Sequence, residues 1–402
     1  MLFTVNSDAT LLHGELMTRN AIRQIPISRF AMLSVLALTL LSALAAGQQP
    51  ELSATTRAQL ESTISKFMSS NSIPGLSVAV VLNGQHVWSE GFGFADLENN
   101  VPVASETLFR LASVSKPITA AAAMQLWERN QLDLDAPVQR YCSAFPQKEF
   151  LITTRQLLGH LGGIRHYRSD SPDDTEVNNT KHFDNPIAGG LQFFANDPLV
   201  AKPGTKFSYS TQGFTLVGCA IEGASTEKYV DFIRENIFRP AEMVHTQWDD
   251  RYAIISHRTR FYSKSKSGNI VNADFLDASY KVPGGGWLSS ADDMANYEVA
   301  ILADRLLKRS TRDAMWTPQQ VSAPQVSDEG HNGYALGWVT GTTAGFADVG
   351  HGGGQQGTST FIMIVPQQRA GVVVLINLDA ADASALATDL MKILIGTAEK
   401  PK

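Results

Sequence analysis

"RLASVSKPITAAAAMQLWERN", residues 110–130, places a serine three residues ahead of a lysine at the start of a helical pattern. Ile118, Ala121, Ala122 and Leu126 recur at helical spacing, and nothing interrupts the pattern before Asn130. Pro117 fits only if the helix begins near Ser113, because the first turn's N–H groups have no intrahelical partner to lose. In that register Ser113 and Lys116 stand one turn apart on one face. Ser113 also gains the partial positive charge of a helix N-terminus. A serine hydroxyl is a poor nucleophile until a neighbouring base takes its proton. A lysine serves as that base once desolvation or a nearby cation lowers its pKa. Taken alone, S-x-x-K also describes a capped helix with a surface lysine, so the rest of the chain has to decide.

The chain has 402 residues, enough for two domains or one large composite domain. With 44% hydrophobic and 18% charged residues it has the composition of a soluble globular protein. A net charge of −6 without any basic run argues against a nucleic-acid partner. Cys142 and Cys219 lie far apart with no C-x-x-C pattern, so two buried free thiols are expected rather than a disulfide. Residues 30–47, "FAMLSVLALTLLSALAAG", form an uncharged apolar run that ends in the small-x-small pattern Ala43-Leu44-Ala45 and follows Arg19, Arg23 and Arg29. That reads as a signal peptide over 1–46 with a linker over 47–53, and so as export to the periplasm or the medium. The n-region is long, which makes Met17 a candidate start. An uncleaved membrane anchor is the rival, since the run nears the ~20 residues that span a bilayer.

Beyond the linker, residues 58–68 carry a helical pattern. Residues 76–82 and 85–94 read as two strands joined by the hairpin dipeptide Asn83-Gly84. The stretch 119–279 is mainly helical in pattern, broken by polar loops. Two Val/Ile-rich runs, 358–365 and 371–377, flank the turn "PQQR", and a last helix is expected over about 383–395. Strands at both chain ends with helices between predict an α+β fold: one antiparallel sheet from about 54–118 and 280–398, flanked by helices, with a mainly helical insertion over about 119–279.

Two further stretches bear on Ser113. "KPGTKFSYSTQGFTLVG" puts Tyr209 in a loop before an apolar helical run, and "VGHGGGQQGTSTF" puts His351 and three glycines just before a strand. In chain order Ser113-Val114-Ser115-Lys116, Tyr209-Ser210-Thr211 and His351-Gly352-Gly353 resemble the three active-site motifs of the serine β-lactamase and penicillin-binding protein superfamily. The likeness is to its class C-like members and covers about residues 54–396. "HLGGIRHY", "DPLVAKPGTKFSYSTQGFTLVG", "RTRFYS" and "PGGGWLSSADDMANY" look like stretches of the mitochondrial serine β-lactamase-like branch, including Thr211 where β-lactamases carry Asn.

The resemblance implies a β-lactamase/transpeptidase-like fold and a hydrolase that forms an acyl-serine, with no metal or organic cofactor. It makes Ser113 the nucleophile, Lys116 its proton acceptor and Tyr209 the second proton-transfer group. It sets His351 in the place of the third-motif lysine. The oxyanion hole would be the backbone N–H groups of Ser113 and Gly354, with Gly353 and Thr211 beside the substrate. Glycines at 352–354 suit a strand that must approach the substrate closely. Thr211 offers one hydroxyl, too short to span lysine and substrate as Asn does. His160 and His166 lack acidic or cysteine partners at metal-ligand spacing and read as a brace for the helical part. Trp287 and Trp338 read as core. Absence of G-x-S-x-G and H-E-x-x-H motifs removes two other hydrolase classes. Amides or peptides are the expected substrates, with esters next and β-lactams last. A catalytically weak scaffold or sensor of the same fold, able to self-assemble, is the alternative.

Overall fold

The computed structural model describes residues 52–168, 176–320 and 333–397. The signal-peptide reading and most of the linker lie outside them. Helix α1, Ala54–Asn71, is capped by Ser53, whose Oγ accepts the Thr56 N–H at 3.0 Å. Strands β1, Gly75–Leu82, and β2, Gln85–Asp96, follow as a hairpin. Its turn residues Asn83 and Gly84 both have positive φ, 55° and 75°, the twist that two-residue hairpins require. After β3, Val101–Pro102, and β4, Phe109–Arg110, comes α2, Ser115–Glu128. The helical stretch then supplies α3, Thr154–Leu158; α4, Pro186–Phe194; α5, Thr211–Ser225; and α6, Tyr229–Ile233. It also holds short strands, β5, Gln247–Trp248, and the hairpin of β6, Tyr262–Lys264, with β7, Ile270–Asn272. Next are α7, Val282–Gly285; β8, Trp287–Ser289; α8, Ala291–Leu302; and α9, Arg309–Met315. The chain closes with β9, Gly333–Tyr334; β10, Val339–Thr343; β11, Phe346–Gln355; β12, Thr358–Val365; β13, Ala370–Ile376; and α10, Ala383–Thr397.

Eight strands form one antiparallel sheet in the order β3-β2-β1-β13-β12-β11-β10-β9. Its two faces are read off alternate residues. Leu76, Val78 and Val80, Phe361 and Met363, Val372 and Val374 pack under α1 and α10 against Leu60, Ile64, Leu386 and Leu390. Ala79 and Val81, Ile362 and Ile364, Val373 and Leu375 face the opposite core with α2 and α8. A sheet buried on both faces explains the unbroken Val/Ile runs that carry no polar alternation. The antiparallel sheet flanked by helices is therefore the architecture observed.

Two expectations need correction. Cys142 and Cys219 are joined in a disulfide, with Cα atoms 5.3 Å apart. Helix α5 can lie this close to the 138–142 segment because it carries Gly223, where a Cβ would fall 1.7 Å from the Tyr141 carbonyl oxygen. Contact across 77 residues of chain leaves no local motif to read. The second concerns His351 and its glycines: they do precede a strand, β12, but they are themselves the end of another, β11, paired with β12 from His351↔Ile362 to Gly354↔Ser359. Glycines have no strand propensity of their own, so only the partner strand reveals them. Pairing of β11 with β10 ends at Gly350, which leaves 351–355 as a local free edge.

Candidate active site

Ser113 sits in a 3-10 turn, Ala112–Val114, that leads from β4 into α2. The helix proper starts two residues later than its nucleophile candidate. Ala112 has φ +47°, a left-handed conformation that costs an alanine energy and persists where surroundings enforce it. The enforcement is visible. Thr358 and Thr360 on β12 donate their hydroxyls to the Arg110 and Leu111 carbonyls, at 3.0 and 2.8 Å, and the Leu111 N–H donates to Trp287 O at 2.9 Å. Gly353 completes the clamp: a Cβ there would lie 2.3 Å from Leu111 O and 3.1 Å from the Ser113 nitrogen. Gly354, one residue on, faces open space.

Helix α2 is buried on every side from Ser115 to Leu126, which its alanine run permits. Pro117 lies in its first turn and forfeits no hydrogen bond. Lys116 is fully buried, and its Nζ lies 2.8 Å from Ser113 Oγ, 2.8 Å from Gly284 O and 3.3 Å from Thr211 Oγ1. The shorter Thr211 side chain thus still reaches the lysine. Tyr209 Oη donates to Ser113 Oγ at 2.8 Å, and the Lys116 Nζ stands 4.8 Å from the Tyr209 ring centre. Ser113, Lys116, Tyr209 and Thr211 are brought together.

The tyrosine turn is held by the "HLGGIRHY" segment. His160 Nδ1 accepts the Ser210 N–H at 3.1 Å, and His166 Nδ1 accepts the Thr211 N–H at 3.2 Å. Ser210 caps α5 by accepting the Gly213 N–H, while its own hydroxyl donates to Arg165 O at 2.6 Å. Burial, then the Lys116 charge, holds His160 well below its ordinary pKa; the same two causes bring His166 down to about 4. Both imidazoles are therefore neutral acceptors. Among the described residues no His, Cys, Asp or Glu cluster has the arrangement of a metal site.

His351 is 1% exposed. Its Nε2 meets Tyr334 Oη at 2.9 Å, and its Nδ1 meets Gly352 O at 2.6 Å; the Tyr209 ring centre is 6.3 Å away. Tyr334 Oη also meets His160 Nε2 at 3.1 Å. One set of tautomers satisfies the whole chain. Ser210 N–H donates to His160, His160 Nε2–H to Tyr334, Tyr334 O–H to His351, and His351 Nδ1–H to the Gly352 carbonyl. His351 thereby couples the glycine strand to the tyrosine turn through Tyr334. Sequence reading missed Tyr334, which belongs to no motif.

The site opens on a cleft of about 870 Å³ lined by Ser113, Phe207, Tyr209, Tyr334, His351 and Phe361. A second cavity of about 130 Å³ meets Ser113 and runs between Tyr209, Thr211, Gly354 and Lys281. Lys281 was also missed. Its one signal was a lone charge in the apolar run before "PGGGW".

Comparison with known proteins agrees with this geometry. The family model described as Beta-lactamase matches residues 60–394. The mitochondrial serine beta-lactamase-like protein LACTB of Homo sapiens is 32% identical, over 73% of this chain and 69% of its own. The octameric penicillin-binding protein homologue from Pyrococcus abyssi superposes with a TM-score of 0.73 at 28% identity, covering 84% of this chain and 77% of that one. A D-stereospecific amidohydrolase from Streptomyces sp. gives 0.69 at 25% identity, over 87% of this chain and 100% of its own.

Proposed function

The chain belongs to the beta-lactamase family of serine hydrolases, and from that premise we propose that it cleaves amide or peptide bonds through an acyl-enzyme on Ser113. One observation carries the reading: Ser113 Oγ lies 2.8 Å from both Lys116 Nζ and Tyr209 Oη, at the base of a cleft wide enough for a substrate. Lys116 Nζ is within bonding distance of Ser113 Oγ, Gly284 O and Thr211 Oγ1; once it has shed a proton, the amine keeps two N–H groups for the last two and turns its lone pair to the serine proton. As Ser113 Oγ attacks the substrate carbonyl carbon, Lys116 takes the serine proton. Tyr209 gives its proton to the leaving nitrogen or oxygen, and water then releases the acyl group. The N–H groups of Ser113 and Gly354 hold the developing oxyanion, and Gly353 lets the strand come near enough to do so.

Amides and peptides rank first, as the similarity to a D-stereospecific amidohydrolase supports. Esters follow, and β-lactams come last, because neither Thr211 nor the buried His351 offers a β-lactam what Asn and a charged lysine would. Labelling with a fluorophosphonate followed by mass spectrometry tests the assignment. We expect one adduct, on Ser113, and neither adduct nor turnover in a folded Ser113→Ala chain. Hydrolysis that survives in Ser113→Ala refutes it. Export is part of the proposal: it rests on residues 30–47 and is supported by the Cys142–Cys219 disulfide, a bond that persists in oxidising compartments. The mature chain should then begin near Ala46 or Gly47, which N-terminal sequencing reads directly.

A further inference from the structure

A further cleft, of about 450 Å³, shares no lining residue with the two cavities at Ser113. It lies between the segments 249–261 and 272–276, with Arg110 of β4 in its wall. Its volume is that of a small-molecule site. Arg110, Arg251, Arg258 and Arg260 line it, against the carboxylates of Asp249 and Asp274. Four guanidiniums facing two carboxylates make a cationic cleft in a chain whose net charge is −6.

The four arginines are not equally engaged. Arg110 is buried and fully used: Asp249 and the Leu276 and Gln356 carbonyls accept from its three nitrogens, and its guanidinium lies 3.8 Å from the Phe261 ring centre. Arg258 shares the same Asp249, through Nη1 at 3.1 Å, and gives that nitrogen to Asp250 O as well. Arg251 donates Nη1 to Thr180 O, and its Nε is 3.9 Å from Asp277, a carboxylate that His182 and the Ser279 N–H already hold. Arg260 has only Asp96, 3.5 Å from its Nε. Among the described residues, Nε and Nη2 of Arg258, Nη2 of Arg251 and both Nη atoms of Arg260 have no acceptor.

The same cleft has an apolar wall. Phe275 is 55% exposed, and the Arg251 guanidinium lies 4.8 Å from its ring centre. A ring left this open beside free guanidiniums offers a face to a second flat group. The guanidinium fork matches phosphate oxygens in geometry as well as charge. A phosphate monoester brings about two negative charges at neutral pH and three acceptor oxygens, so it meets three partly free arginines where a carboxylate would not. We propose that this cleft is a binding site for a phosphate monoester that carries a flat ring. Arg251, Arg258 and Arg260 hold the phosphate, and Phe275 takes the ring.

The test is titration calorimetry of the full chain with phenyl phosphate, benzoate and inorganic phosphate at about pH 7.5, where the phosphate's second proton is lost. Phenyl phosphate should bind at least about tenfold more tightly than benzoate, which has the ring but one charge, and than inorganic phosphate, which lacks the ring. Arg251→Gln and Arg260→Gln should each weaken it about tenfold. Phe275→Ala should bring phenyl phosphate down to the level of inorganic phosphate. Ser113→Ala and Lys281→Met should leave the Kd unchanged, because neither residue lines this cleft. A Kd that the arginine substitutions do not move, or that Lys281→Met raises, overturns the proposal. Equal affinity for inorganic phosphate overturns it too, by assigning the cleft to the free ion. Phenylglyoxal modification mapped by mass spectrometry needs no substitution, so it decides even if an arginine variant fails to fold. At ten times its Kd, phenyl phosphate should slow modification of Arg251, Arg258 and Arg260 about tenfold. The exposed Arg239 and Arg309 should react as before. Loss of that selectivity, or no protection at all, refutes the site.

Discussion

The turn that carries Ser113 is tied to the sheet, whereas the turn that carries Tyr209 is tied to the segment at 160–166. Threonines of β12 and the bare backbone of Gly353 clamp residues 110–113, including the left-handed Ala112. Two neutral imidazoles and a serine cap hold residues 209–213. The nucleophile's position is therefore a property of strand pairing. The tyrosine's position is a property of loop packing, and the His160–Tyr334–His351 chain links the two.

The largest effect should come where both turns converge. Lys116→Arg replaces an amine that can shed its proton by a guanidinium that does not. Activity should fall by about 10³-fold or more, as loss of a general base requires. Steady-state kinetics on a nitrophenyl ester reads it, and an Arg variant with ordinary turnover would remove Lys116 from the proton path.

Smaller changes separate the turns. Thr360→Val removes the hydroxyl that holds Leu111, and His160→Leu leaves the Ser210 N–H without its acceptor. Each should cost about 1–3 kcal/mol of stability and roughly tenfold in rate. The pattern matters more than the size. Displacing Ser113 should slow a nitrophenyl ester and a nitroanilide alike. Displacing Tyr209 should slow the anilide more, since that leaving group needs a proton and nitrophenolate does not. Equal losses on both substrates in both variants would show that the turns are not independently held.

The mildest effect is on acid stability. His160 and His166 have folded-state pKa values below the unfolded ~6.5, so the folded chain binds fewer protons as pH falls. Their contribution is complete above about pH 6.5 and declines toward pH 4, the value near which His166 itself titrates. Melting temperature should drop across that window, and His166→Asn should flatten part of the drop. A melting temperature that does not change over the window would count against the neutral-imidazole brace. The threonines that hold the Ser113 turn do not titrate, so acid should loosen the tyrosine turn first.

Local pattern made much of this legible. The Asn83-Gly84 hairpin, the two Val-rich runs that became β12 and β13 and the helix after Ser113 all follow from short-range spacing and β-branched content. Ser113, Lys116 and Tyr209 were found because their motifs occur in a known order. What stayed hidden depends on contacts between distant segments. The disulfide needs α5 to pass the 138–142 loop, and the glycine strand needs β12 beside it. Tyr334 acts only through histidines that no spacing rule brings to it, and Lys281 comes beside Ser113 only once the folded chain closes a cavity around both.

The pairing of β1 with β13 has a consequence for how the protein is made. Leu76 lies opposite Ile376, about three hundred residues later in synthesis, and the pair sits at the middle of the sheet. Until β13 leaves the ribosome, the Val-rich hairpin at the front of the chain has one strand edge unpaired and its apolar residues uncovered. No early portion of the chain can finish folding ahead of the rest. Truncation just before β13 should leave a chain that chaperones or proteases capture, whatever the state of the residues around Ser113.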